Sequence, residues 1–125
     1  MVTNSVSCTS AFSQKAAAAA IQGPQDSVKM MLKEFKERSK IVVDGFNAIN
    51  GISCIQPKGA FYAFPNIKDT GYKSQELSDA LLNQGVAVLP GTSFGKYGEG
   101  YLRISFANSR ENLNKALKII KEFLD

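Results

Sequence analysis

A β-strand with one buried face is predicted by the alternating stretch Tyr101-Leu102-Arg103-Ile104-Ser105-Phe106. Successive side chains of a strand point to opposite faces, so three apolar residues are expected to face the core: Leu102, Ile104 and Phe106. Arg103 then lies on the other face, beside Tyr101 and Ser105. An arginine in this position is either a simple exposed strand residue or a planar fork that binds a carboxylate through two parallel hydrogen bonds.

Around this strand, the sequence predicts helices and short strands whose ends are marked by caps, glycines and prolines. The expected N-caps are Ser10, Asp26, Ser74 and Ser109. In chain order the predicted elements are a helix from Ala11 to Gly23-Pro24, a helix of about 23 residues up to Asn50-Gly51, strands 52–55 and 61–64, a helix from 74 to Gly85, strands 86–89 and 101–106, and a helix from 110 onward. The fold class is therefore α/β or α+β, with a short β-sheet packed against helices and preceded by a long helix.

The long second helix carries apolar residues at spacings of three or four, apart from one gap. The members of this face are Val28, Met31, Leu32, Phe35, Val42, Phe46 and Ile49. A helix of this length in a small domain is expected either to pack on two sides or to link two bodies.

Composition excludes several classes of function. The chain has 125 residues, enough for one domain, and contains no histidine, so a Ser–His–Asp triad, a Cys–His dyad and histidine metal ligands are all excluded within it. Cys8 and Cys54 lie in no CxxC motif and cannot build a four-cysteine zinc site, so no metal site is expected. The net charge of +4 is spread evenly over both halves of the sequence, which argues against a nucleic-acid partner. Without an apolar span or a visible signal peptide, the chain is expected to be cytoplasmic and not to bind membranes.

Two further segments suggest functions that their details do not support. The glycine-rich loop 90–100 matches neither a P-loop nor a GxGxxG motif, so a flexible connection or a substrate-facing lid is favoured over a phosphate site. Lys58-Gly59 opens like an RNA-binding RNP1 motif, but Ala60 and Pro65 occupy places that need aromatic residues.

Lys40 lies on the long amphipathic helix and is interpreted as a solvated side chain rather than a Schiff-base lysine.

Four segments, in order, resemble the C-terminal part of pyridoxal-phosphate-dependent class I aminotransferases, with the closest likeness to the aspartate aminotransferase group. They are Ser13-Gln14-Lys15-Ala16-Ala17 with Gly23-Pro24-Gln25, then Pro57-Lys58-Gly59-Ala60-Phe61-Tyr62, then Gly85-Val86-Ala87-Val88-Leu89-Pro90-Gly91-Thr92-Ser93-Phe94-Gly95, and last Leu102-Arg103-Ile104-Ser105-Phe106-Ala107. The resemblance covers nearly the whole chain. It implies the C-terminal domain of a fold-type I enzyme, with residues 1–25 belonging to the end of the large domain and residues 26–125 forming the small C-terminal domain.

The resemblance also implies roles for particular residues. Arg103 matches the arginine that binds the substrate α-carboxylate, and Phe61 matches an aromatic position near the substrate, although a core position in a hairpin is equally compatible with Phe61. The loop from Asn4 to Ser10 matches one that approaches the neighbouring subunit's active site, but Cys8-Thr9 replaces the Asn-Pro of many members, so no residue in it is given a role.

By the same resemblance, the Schiff-base lysine and most cofactor-binding residues belong upstream of this sequence, so no catalytic residue is assigned within it. The chain is expected to be a C-terminal fragment that is inactive alone and binds no pyridoxal phosphate by itself. The intact enzyme would be a homodimer that carries pyridoxal phosphate and transfers an amino group between an amino acid, such as aspartate, and a 2-oxo acid. The cofactor would supply the carbanion chemistry while the protein binds and orients. The alternatives are a stand-alone, non-catalytic α/β module that binds a ligand or protein, and an RNA-binding domain.

Overall fold

The computed structural model describes residues 8–125, which contain four α-helices and a three-stranded antiparallel sheet. Residues 1–7, which include most of the loop expected to approach a neighbouring subunit, lie outside the described residues. The elements are α1 (Ala11–Gln22), α2 (Asp26–Asn47), β1 (Tyr62–Ala63), α3 (Ser74–Asn83), β2 (Leu89–Pro90), β3 (Leu102–Ser105) and α4 (Arg110–Leu124), with 3₁₀ turns at Lys68–Thr70 and Gly91–Phe94. This confirms the predicted class, a short sheet with helices preceded by a long helix.

The chain divides into two compact units, and the division at Leu32 and Lys33 falls within α2. The long helix therefore has residues in both units, which agrees with the expectation that a helix of this length links two bodies. The first unit has no buried residue in its described part, and Val28, Met31 and Leu32 are each at least half exposed. The apolar face predicted for α2 is therefore exposed over Val28, Met31 and Leu32, because periodicity identifies an apolar face but not what covers it.

The core lies in the second unit and is formed by the last part of α2, the sheet, α3 and α4. Its largest fully buried apolar side chains are Val42, Phe46, Ile67, Leu77, Leu81, Leu102, Phe106 and Ile120. Burying a side chain of this size stabilises the fold by about 1.5–3 kcal/mol before entropy is counted. On α3, Leu77 and Leu81 are fully buried, whereas the neighbouring Leu82 is exposed.

The sheet has the order β1-β3-β2, and both pairings are antiparallel. In the register, Tyr62 lies opposite Ser105 and Leu89 lies opposite Arg103. The central strand β3 therefore has a partner on each side, and its position fixes the direction of both faces of the sheet.

Two of the predicted strands, 52–55 and 86–89, are mostly absent because their backbone groups bond elsewhere, and the strand predicted at 61–64 is reduced to Tyr62–Ala63. Residues 52–55 form only a single bridge, from Ser53 to Asn66, and the Asn47 side chain binds both the N–H and the C=O of Cys54. In the stretch 86–89 only Leu89 belongs to a strand. Val86 N–H donates to a carbonyl at the end of α3, and the hydroxyl of Ser78 donates to the carbonyl of Val88.

The four predicted helix starts differ in their caps. Ser109 caps α4 as predicted, because its hydroxyl accepts from Asn112 N–H at 3.1 Å. Ser10 precedes α1 without a side-chain cap bond, and its hydroxyl lies 2.9 Å from that of Ser13 instead. Asp26 and Ser74 are the first residues of their helices rather than the caps.

Candidate carboxylate-binding site

The two faces of β3 are arranged as the alternation predicts. Leu102 and Ile104 are buried within the strand, and Phe106, just beyond its end, is 1% exposed. Arg103 is half-buried on the opposite face. A half-buried guanidinium keeps some of its donors open to solvent while its apolar stem packs on the sheet.

Two aromatic rings from different elements flank the Arg103 guanidinium. Its Cζ atom lies 4.3 Å from the centre of the Tyr62 ring and 4.0 Å from the centre of the Phe94 ring. Tyr62 reaches it because β1 pairs with β3 so that Tyr62 stands opposite Ser105, on the Arg103 face. Phe94 reaches it from the 3₁₀ turn Gly91–Phe94 that follows β2. Each contact of this kind is worth about 0.5–2 kcal/mol and restricts the rotamers of the arginine.

Arg103 differs from the other two arginines of the sequence, which share one acidic partner. Arg38 donates to Glu34 at 2.8 Å, and Arg110 donates to the same carboxylate at 3.0 Å. Hydrogen bonds from Arg110 and then Arg38 lower the pKa of Glu34 to about 2. Within residues 8–125, no carboxylate forms an ion pair with Arg103, and its side chain donates no hydrogen bond. The N–H donors of Arg103 therefore have no acceptor among the described residues, and such a fork can bind a carboxylate.

The other predicted site residue, Phe61, lies beside this stack. Its ring centre is 4.4 Å from that of Tyr62 and 6.3 Å from that of Phe35, and 41% of the residue is exposed. The structure thus brings Phe61 and Arg103 to one aromatic row, with Tyr62 between them. Phe61 is neither a fully buried core residue nor in direct contact with the guanidinium.

The aromatic surface continues beyond Arg103. Phe64 stacks on Tyr101 at 5.5 Å and meets Phe94 edge-on at 6.3 Å. Next to Tyr62 is an open cavity of about 420 Å³, and its lining residues are uncharged: Ser53, Ile55, Gln56, Pro57, Tyr62, Phe64, Asn66 and Tyr101. Tyr62 is thus shared by this cavity and the Arg103 contact, while Lys68 Nζ lies 5.0 Å from the centre of the Tyr101 ring.

Sequence reasoning missed both rings that flank Arg103. The position of Tyr62 beside Arg103 could have been found, because side chains of two paired strands that lie diagonally on one face come close enough for an aromatic ring to make contact. No comparable signal exists for Phe94, which lies in a glycine-rich segment whose path depends on long-range contacts. Part of the same segment, Gly91–Phe94, forms a 3₁₀ turn.

The described residues do not fit a complete pyridoxal phosphate site. Such a site needs a lysine that is desolvated in a pocket, whereas every lysine of the sequence lies within residues 8–125 and is exposed.

Burial raises the pKa of the Cys54 thiol, which keeps it protonated. Residues 8–125 contain no cluster of three metal-ligating side chains and no helix both long and apolar enough to cross a membrane. The candidate that remains among these residues is the Arg103 guanidinium, which has no acidic partner within residues 8–125.

Comparison with known proteins places this arrangement in a family. The family described as aminotransferase class I and II matches residues 1–120. The aspartate aminotransferase of Pyrococcus horikoshii is 49% identical over 100 residues, covering 79% of this chain and 26% of the relative. The putative aminotransferase YugH of Bacillus subtilis is 44% identical and covers 94% of this chain and 30% of the relative.

Solved structures give the same result. The aspartate aminotransferase from Rhizobium meliloti superposes with a TM-score of 0.86 at 36% identity, covering 98% of this chain and 33% of that one. The aromatic aminotransferase from Pyrococcus horikoshii superposes with a TM-score of 0.83 at 43% identity, covering 89% of this chain and 30% of that one. This chain spans about a third or less of these proteins, as the expected fragment would. The predicted resemblance is confirmed, and the chain belongs to the class I and II aminotransferase family.

Proposed function

We propose that this chain supplies the substrate-carboxylate site of a class I aminotransferase, with Arg103 as the residue that binds the α-carboxylate. The observation that carries the proposal is the Arg103 guanidinium, held between Tyr62 and Phe94 and without an acidic partner among residues 8–125. A fixed fork binds a carboxylate with little loss of rotamer freedom, and a fixed carboxylate orients the bonds at the neighbouring carbon. Phe61 would lie near the substrate as part of the same aromatic row.

For the intact protein, the proposal extends to the properties of the family. The cofactor would be pyridoxal phosphate, the substrates an amino acid and a 2-oxo acid, and the assembly a homodimer. Residues 1–25 would close the large domain, and residues 26–125 would form the small one. Family membership supports these statements, and the exposure of every lysine agrees with a cofactor lysine located outside this sequence.

The test is a titration of this chain with pyruvate, the simplest 2-oxo acid. Arg103→Lys keeps the charge but loses the planar fork, so at least one charge-assisted hydrogen bond of about 1.5 kcal/mol is lost and the affinity falls about tenfold. Arg110→Lys is the matched control, because Arg110 pairs with Glu34 instead and its replacement leaves the affinity unchanged. Equal affinities in wild type and Arg103→Lys would refute the assignment.

The stand-alone ligand-binding module is tested by the same chain joined to a lysine-bearing cofactor domain of a related aminotransferase. Recovery of transamination that depends on Arg103 supports the enzyme. Carboxylate binding at Arg103 without any such recovery would favour the module.

A further inference from the structure

The loop that carries Phe94 is closed on itself by its own backbone. Gly91 N–H donates to the Tyr101 carbonyl at 2.8 Å, and Gly98 packs so closely on Gly91 that a Cβ at Gly98 would lie 1.9 Å from the Gly91 oxygen. Phe94 itself is 47% exposed and therefore has little core packing to hold it. The place of its ring over Arg103 depends on how this loop is anchored.

Glu99, next to Gly98, is the anchor. One carboxylate oxygen accepts the backbone N–H groups of Ser74 at 2.9 Å and Gly100 at 3.0 Å. The other oxygen accepts the Ser74 hydroxyl at 3.0 Å. Ser74 is fully buried and begins α3, where N–H groups lack partners within the helix.

The electrostatics favour a charged carboxylate at this position. The bond from Ser74 N–H, ahead of the other causes, lowers the pKa of Glu99. A negative charge at a helix N-terminus is also stabilised by the helix dipole. Glu99 thus ties the end of the loop to α3, and α3 in turn packs against the 3₁₀ turn Gly91–Phe94.

We propose that Glu99 is a positioning residue for carboxylate binding at Arg103: its bonds to Ser74 and Gly100 hold the loop so that Phe94 covers the guanidinium. This inference rests on the proposed function of Arg103. If Glu99 were only a helix cap, its replacement would lower stability without an effect that depends on Phe94. If Glu99 acted only through its charge, its replacement would strengthen the binding of an anion at Arg103, because a repulsive negative charge would be removed.

The first test compares Glu99→Ala with Glu99→Gln in a pyruvate titration. Glu99→Ala removes all three acceptor bonds, so the affinity falls about threefold to tenfold, the size of one cation–π contact. In Glu99→Gln the amide oxygen still accepts both N–H groups and its NH₂ donates to the Ser74 hydroxyl, so the affinity stays near that of wild type. Tighter binding in both variants would overturn the proposal in favour of the electrostatic effect.

The second test is a double-mutant cycle with Phe94→Ala. If Glu99 acts through Phe94, Glu99→Ala weakens pyruvate binding in the wild-type background but adds nothing in the Phe94→Ala background. Additive losses would overturn the proposal. Ser109→Ala is the stability control, because it removes a similar cap from α4 without touching the loop, and it leaves the affinity unchanged.

A readout without ligand separates this inference from the proposed function. The sequence has three arginines, so the ¹⁵N spectrum of arginine Nε–H groups contains three assignable signals, from Arg38, Arg103 and Arg110. Glu99→Ala moves the Arg103 signal toward its position in Phe94→Ala, because the ring current is lost, and leaves the Arg38 signal in place. An unmoved Arg103 signal refutes the positioning role, whereas failure of pyruvate to bind wild type refutes the proposed function alone.

Discussion

Replacing Gly98 with alanine tests the closure of the loop that carries Phe94. The new Cβ would lie 1.9 Å from the oxygen and 2.2 Å from the carbonyl carbon of Gly91, and both of these are backbone atoms that cannot rotate away. The two backbone segments must separate by about 1 Å, and overpacking of this kind costs about 1–3 kcal/mol. With a urea slope of about 2 kcal/mol per M, the unfolding midpoint falls by about 0.5–1.5 M.

The assay is urea unfolding followed by circular dichroism, with Gly59→Ala as the matched control. A Cβ at Gly59 meets nothing within 4 Å, so that variant should stay within about 0.5 kcal/mol of wild type. In Gly98→Ala the Arg103 Nε–H signal also shifts, because Phe94 leaves the guanidinium. If Gly98→Ala unfolds at the same urea concentration as Gly59→Ala, the loop is not closed as described, and the reasoning fails.

Two more predictions concern the framework behind the site. Phe106 is 1% exposed under β3, so Phe106→Ala lowers the free energy of unfolding by about 3–5 kcal/mol, and a loss below about 1 kcal/mol in denaturant titration would contradict its core position. Glu34 has a pKa lowered from 4.5 to about 2, so its contribution to stability is complete above pH 4.5 and is lost as the pH falls toward 2. The stability difference between wild type and Glu34→Gln should therefore shrink over this range, and a difference that is constant from pH 6 to pH 2 would argue against the ion pairs.

The sequence predicted the faces of β3 and the placement of Arg103, because a period of two in an otherwise apolar strand assigns each side chain to a face. The predicted strand 86–89 is wrong in most of its extent. Val86 and Val88 are buried, yet the backbone N–H of Val86 and the C=O of Val88 bond to groups from α3 instead of a neighbouring strand. Burial patterns report which side is covered, but they do not identify the hydrogen-bond partner.

The anchoring of Phe94 could not be predicted for a different reason. It depends on Glu99 binding Ser74, which lies 25 residues earlier in the chain, and on the close passage of Gly98 past Gly91. Neither contact has a local signature, since glycines in a loop predict freedom as readily as close packing. The resemblance implies the proposed role of Arg103, while the structure shows that Tyr62 and Phe94 contact its guanidinium.

Binding of the substrate carboxylate by Arg103 can be observed by titrating pyruvate into the ¹⁵N-labelled chain while recording the three arginine Nε–H signals. We predict a saturable shift of the Arg103 signal, with the signals of Arg38 and Arg110 unchanged because both side chains already bind Glu34. A spectrum in which Arg103 does not respond, or in which all three signals drift together with ionic strength, would contradict it.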